Sequence, residues 1–165
     1  MRERVYDPTH PQHLPPDAYV VPAGVMIMPR ASLLSFQRDG LYPERKPEFC
    51  CFTASNVTVR VLKPSKAHDL QAVIYVPKWP LFEKRPQNVA VFVGRERRSL
   101  LPLGDLHGLG PGVHRLRWSL PVSLAGSDSR FFVRLHSGVS AVPEHEGISS
   151  DKRALGFVLI AIRFQ

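Results

Sequence analysis

Lys78-Trp79-Pro80-Leu81-Phe82 sets an indole and a phenyl ring in a proline-constrained segment, with Lys84 and Arg85 close behind. A flat ring flanked by cationic donors suits a sugar. The C–H face of the sugar packs on the ring while its hydroxyls bond to the side chains. The same arrangement can stack a nucleobase. The competing reading is that Trp79 folds back to cover the end of a core. Glu144-His145-Glu146, with Asp151 nearby and His136 upstream, is the densest group of acid, base and metal-ligand types. Two carboxylates and an imidazole could hold a divalent cation, or move protons if a pKa were shifted. No ligand spacing accompanies them, so an exposed acidic loop is the favoured reading. His10-Pro-Gln-His13 lacks cysteines or carboxylates at ligand spacing. Gly126-Ser-Asp-Ser129 is only a scramble of an esterase nucleophile motif, in a chain without alternating strands and helices, and reads as a turn. Gly108-Leu-Gly-Pro-Gly112 precedes no helix that could cradle a phosphate. No nucleophile, base and orienting group can be named together. The expectation is a protein that is not an enzyme and uses no cofactor and no metal.

The elements that position these groups follow from composition. The chain has 165 residues, enough for one domain with a proper core. Apolar residues make up 44%, which excludes wholesale disorder. Sixteen prolines argue against a helical bundle, because each interior proline costs a helix about 3 kcal/mol. Two cysteines exclude a disulfide framework. They are adjacent, Cys50 and Cys51, and on a strand they point to opposite faces and cannot pair. Free thiols fit a reducing compartment. Asp7-Pro8 through Pro15-Pro16 stand where the apolar core of a leader would be, so the expectation is a cytoplasmic protein of bacterial type. No apolar run approaches the roughly 18 residues of a membrane-spanning helix.

The net charge is +8. Residues 1–48 are balanced, so the excess lies in residues 49–165, with 16 basic against 8 acidic residues. A basic domain attracts anions. The cations are scattered, however, and the tightest cluster, Arg95, Arg97 and Arg98, is interrupted by Glu96. That cluster reads as a solvated strand end or hairpin ahead of a dedicated anion site.

Residues 1–22 carry five prolines and form a Pro-rich arm, extended and able to lie on a partner. Residues 23–165 form the domain. Its apolar runs are short and separated by turn residues. Gly24–Met28, Ala31–Phe36 and Leu70–Val76 are such runs, and Arg38-Asp39-Gly40 signals a turn. Period-two alternation places Val57, Val59 and Val61 on one face of a strand, with Thr58, Arg60 and Leu62 opposite. Val89, Val91 and Val93 share a face. So do His114, Leu116, Trp118 and Leu120, which makes Trp118 a core residue. Phe131, Val133 and Leu135 alternate with Phe132, Arg134 and His136. Ala154–Phe164 is apolar on both faces, as a central strand requires. Pro77–Asn88, Leu101–Gly112 and Ser137–Lys152 read as irregular stretches, the natural seats of binding surfaces. About eight short strands with Gly/Pro turns predict an all-β fold, an antiparallel β-sandwich of the jelly-roll kind.

Several segments, taken in order, resemble one family. Asp39-Gly-Leu-Tyr-Pro-Glu44 resembles a Gly-aromatic-Tyr/His-Pro-Pro-Glu opening, and Phe52-Thr53 with Val57-Thr-Val-Arg-Val61 resembles the Arg-Trp-Thr and strand that follow it. Val91-Phe-Val-Gly94 resembles a Val-x-Val-Asn-Gly hairpin, and Asp151-Lys-Arg-Ala-Leu-Gly156 resembles an Asp-x-Arg-x-Leu-Gly motif before a last apolar strand. Together these are similar to galactose-binding-like jelly-roll modules attached to bacterial glycosyltransferases and surface-polysaccharide proteins, over about residues 35–165. The resemblance implies a carbohydrate-binding type of module. It also implies that Asp151, Arg153 and Gly156 are structural signposts, the Asp and Arg pairing or capping loops and the Gly admitting a close backbone approach. Cys50-Cys51-Phe52 replaces an expected Arg-Trp pair. If that Trp touches sugar in the family, its replacement counts against glycan binding here.

The leading expectation is a non-catalytic module that binds a glycan or serves a glycan-handling enzyme, with Tyr42, Trp79, Lys78 and Arg85 as ligand contacts. The alternative is a structural subunit of a protein assembly, an oligomer included, whose residues 1–22 contact a neighbour. Nucleic acid is the disfavoured partner: the pI is high, but the sequence displays no aromatic platform at regular spacing.

Overall fold

A computed structural model describes residues 20–21, 25–27, 40–42, 52–124 and 129–165. The expected run Ala31–Phe36, both cysteines, His10, His13, the turn at 126–128 and most of the Pro-rich arm lie outside the described residues.

The strands are β1 (Val20–Val21), β2 (Val25–Ile27), β3 (Leu41–Tyr42), β4 (Phe52–Thr53), β5 (Asn56–Lys63), β6 (Asp69–Val76), β7 (Gln87–Gly94), β8 (Leu101–Leu109), β9 (Gly112–Ser119), β10 (Ser129–Ser137) and β11 (Val158–Phe164). One short helix, α1 (Pro80–Lys84), joins β6 to β7. Eight strands form the body. The first sheet runs β4–β11–β6–β9, and the second runs β5–β10–β7–β8. All pairings are antiparallel. The chain changes sheet at every step from β4 to β11 except β7 to β8, the path of a jelly roll. Short β1, β2 and β3 extend the first sheet beyond β11 and β4, so Val20–Val21 of the arm pair within that sheet.

Alternation places the core. Val57, Val59 and Val61, Val89, Val91 and Val93, and Phe131, Val133 and Leu135 are buried from the second sheet. They face Leu70, Ala72, Ile74, Val76, Leu116, Trp118, Leu159, Ile162 and Phe164 of the first. Burying each such aliphatic or aromatic side chain contributes roughly 1.5–3 kcal/mol, which fixes the register, because a one-residue slip would turn the whole set to solvent. Trp118 is a core residue, 5% exposed, and its indole N–H has no acceptor among the described residues. β11 is central, and Val158, Leu159 and Ile160 are buried consecutively where a bulge breaks its register with β6.

Three stretches differ from the sequence reading. Leu101–Gly112 is not irregular: it contains β8, an edge strand. Two register shifts against β7 put Leu103, Leu106 and Leu109 on the core at intervals of three, so the period-two signal is lost. Pro102 is tolerated because β8 is an edge. The second is the segment from Phe52-Thr53 to Val57-Thr-Val-Arg-Val61, which is cut at Ala54-Ser55, where the chain leaves the first sheet for the second. Gly40 lies against that crossing, with φ 91° and its carbonyl accepting the Ala54 N–H at 2.8 Å. A Cβ on Gly40 would meet the Asn56 carbonyl oxygen at 2.0 Å, so only glycine fits. The third is Pro77–Asn88, which holds α1, with Pro80 at its start, where a missing N–H costs nothing.

Candidate aromatic site at the end of the sandwich

Tyr42 and Phe52 are partners across β3 and β4, so their side chains share one face. Trp79, immediately before α1, stacks on Phe52 with ring centroids 5.6 Å apart and planes 23° apart. It stacks also on Phe82 of α1, at 5.9 Å and 24°. Phe82 is fully buried, whereas Tyr42, Phe52 and Trp79 are half-buried. The guanidinium of Arg153 lies 4.8 Å from the centre of the Tyr42 ring, a cation–π contact. The result is a row of neighbours: Arg153 over Tyr42, Tyr42 beside Phe52 across the strand pair, and Phe52, Trp79 and Phe82 stacked in turn.

Trp79 therefore covers the end of the core and keeps part of its surface outside. Lys78 and Arg85 are exposed on either side of α1. Tyr42 and Trp79 are joined through Phe52, a link that no sequence spacing reveals, since Phe52 lies 27 residues from Trp79. The helix that carries Phe82 is held by the acidic loop: the Leu81 N–H donates to Glu146 Oε2 at 3.0 Å. A carboxylate bonded to a first-turn amide serves a group that the helix itself leaves unpaired.

The acidic residues are engaged in this way one by one. Asp151 receives both Nε and Nη2 of Arg153, the latter at 2.6 Å, and its Oδ1 also accepts the Arg153 backbone N–H at 2.9 Å. Those bonds hold the Asp151 carboxyl below its ordinary range, the Arg153 side chain contributing most. Glu144 faces Lys152 at 3.9 Å. His136 belongs elsewhere, on β10, where Nδ1 meets Asn56 Oδ1 at 3.0 Å. Among the described residues no three His, Cys, Asp or Glu side chains form a metal-sized group.

The closing motif anchors this end. Leu155 is buried and bridges to Ala141. Thr53 exchanges backbone and side-chain bonds with Phe157, including Oγ1 to the Phe157 carbonyl at 3.2 Å, and its own carbonyl accepts the Gly156 N–H at 2.9 Å. Buried Gln87 donates to the carbonyls of Val139 and Gly156 at 2.7 and 3.0 Å. A Cβ on Gly156 would meet Ser137 Oγ at 2.4 Å and Ser137 Cβ at 2.9 Å. Asp151 and Arg153 thus pair with each other, and Gly156 sits where two strands and a loop meet.

No helix among the described residues is long and apolar enough to cross a membrane. Compared with known proteins, the chain matches no family model and no curated protein significantly.

Proposed function

We propose that the protein is a non-catalytic β-sandwich module that binds carbohydrate, alone or as an accessory to a glycan-handling enzyme. The observation that carries this reading is the half-buried ring surface of Tyr42, Phe52 and Trp79, flanked by exposed Lys78 and Arg85. Rings held in place by stacking on one another lose little entropy when a sugar settles on them, and the cations can reach its hydroxyls. The resemblance of the closing motif to surface-polysaccharide modules supports the same reading. The carboxylates of this end are held by arginine, lysine or a backbone amide, an arrangement suited to a rigid rim.

The test is affinity electrophoresis through gels containing a panel of neutral and acidic polysaccharides. At least one polysaccharide should retard the protein. Trp79→Ala should weaken retention by about tenfold or more, as truncation of an aromatic anchor does. Lys78→Ala and Arg85→Ala, being surface changes, should weaken it without altering the melting temperature. Absence of retardation by every polysaccharide, or full retention by the Trp79 and Lys78 variants, would overturn the reading.

A further inference from the structure

The outward face of the second sheet is built differently from its core face. Cross-strand pairing sets Arg60 opposite Phe132, Thr58 opposite Arg134 and Asn56 opposite His136 between β5 and β10. Between β10 and β7 it sets Arg134 opposite Phe92. Arginine and phenylalanine therefore interleave in two dimensions. Arg60 lies 5.0 Å over the Phe132 ring. Arg134 donates Nε to Thr58 Oγ1 at 3.2 Å, which orients its fork while its Nη donors bond no described residue. Next to Phe92 opens a depression of about 610 Å³ lined by Phe92, Arg97, Arg98, Leu100 and Arg134. Arg98 is exposed and makes no ion pair or hydrogen bond with a described residue. None of the residues lining the depression carries a carboxylate. The acidic residues of this part of the molecule are Glu96, in the β7–β8 turn, and Asp105, on β8 opposite Ala90.

We infer that this face binds single-stranded nucleic acid, phosphates at Arg97, Arg98 and Arg134 and bases on Phe92 and Phe132. Guanidinium forks match phosphate oxygens in pairs, which ammonium groups cannot do, and every cation of the depression is an arginine. A phenyl ring on its floor is of no use to a bare anion but stacks a base. Geometry selects the single strand. Phe92 and Phe132 are diagonal neighbours on adjacent strands, about 7–8 Å apart at Cα, against a rise of about 3.4 Å for stacked bases in a duplex strand. Bases on both rings must be splayed. A four-stranded face is also broader than the helix or two-stranded ribbon that a major groove admits. None of these residues belongs to the aromatic row at the sandwich end, so this inference and the carbohydrate reading stand or fall apart.

The experiment is fluorescence anisotropy with labelled twelve-nucleotide oligo-uridine and oligo-thymidine, an unlabelled duplex of equal length and heparin as competitors. The protein should bind a single strand. Affinity should fall with salt at a log–log slope of about −2, three phosphates at about −0.7 each. Arg98→Ala should reduce that slope by about 0.7, while Phe92→Ala should weaken binding by about tenfold with the slope intact, the mark of stacking. Unequal affinity for the two oligomers would identify the ribose or deoxyribose form as the better ligand, and either supports the inference. Three results overturn it: no binding at low salt; a duplex competing as well as the single strand; or heparin competing fully while Phe92→Ala binds like the parent, which would mark a general polyanion surface. Melting temperatures of both variants well above the assay temperature keep a folding defect from imitating a loss of contact.

Discussion

The end of the sandwich and the outer face of its second sheet use similar residues to opposite effect. At the end, rings lie on rings and charges on opposite charges: Trp79 on Phe52 and Phe82, Arg153 on Asp151, Lys152 on Glu144. On the sheet face, arginines lie beside phenyl rings, and no carboxylate lines their depression. The first region satisfies itself and is rigid. The second leaves exposed Arg98 and the Nη donors of Arg134 without a bond to any described residue, so water holds them and an anion can take its place. The difference lies in which strands meet: β3 and β4 bring aromatic partners together, whereas β5, β7 and β10 bring together the polar phase of three strands whose other phase is core.

The contrast can be broken most severely at Phe82. It is fully buried beneath Trp79, so Phe82→Ala should cost about 3–5 kcal/mol in urea denaturation. The half-exposed Phe92 on the other face should cost less than half as much when truncated, and near-equal losses would mean that the two regions do not differ as described. Gly156→Val comes next. With Ser137 Cβ 2.9 Å from the first added carbon, strain of about 1–3 kcal/mol should appear as a lower urea midpoint at unchanged slope. The smallest effect sharpens the comparison through pH. Asp151 has a lowered pKa in the folded state, so its pair with Arg153 stabilises fully above the ordinary carboxylate pKa of about 3.9 and ceases to as pH falls through the lower folded value. Asp151→Asn should therefore lose up to about 1 kcal/mol at neutral pH, with a flatter acid limb that converges on the parent as pH falls, checked by thermal melts across the acid range.

Much of this was legible from residue order. Val57-Thr-Val-Arg-Val61 and Phe131–His136 announced their faces because a strand half-buried in a sandwich has to alternate. Leu101–Leu109 did not, because its register shifts move the core contacts to every third residue and an edge strand needs fewer of them. The spacing of Asp151 and Arg153 allows the bidentate pair, since two residues apart on an extended chain is within reach of a folded-back guanidinium. Arg153 over Tyr42, 111 positions earlier in the chain, was not legible, nor was the bond from Glu146 to the Leu81 amide. Such contacts depend on where loops from different strands are brought to rest.

Local chemistry alone decided that this chain is all-β and basic. Prolines and glycines stop helices, and the two-residue period of a strand is written into neighbouring side chains. Which aromatic rings became neighbours was left to the jelly-roll path. Phe92 and Phe132 stand 40 residues apart in the chain and adjacent in the sheet. Cross-strand register is set by burial of the valines on the opposite face, so the outward platform is a by-product of core packing that no local pattern encodes.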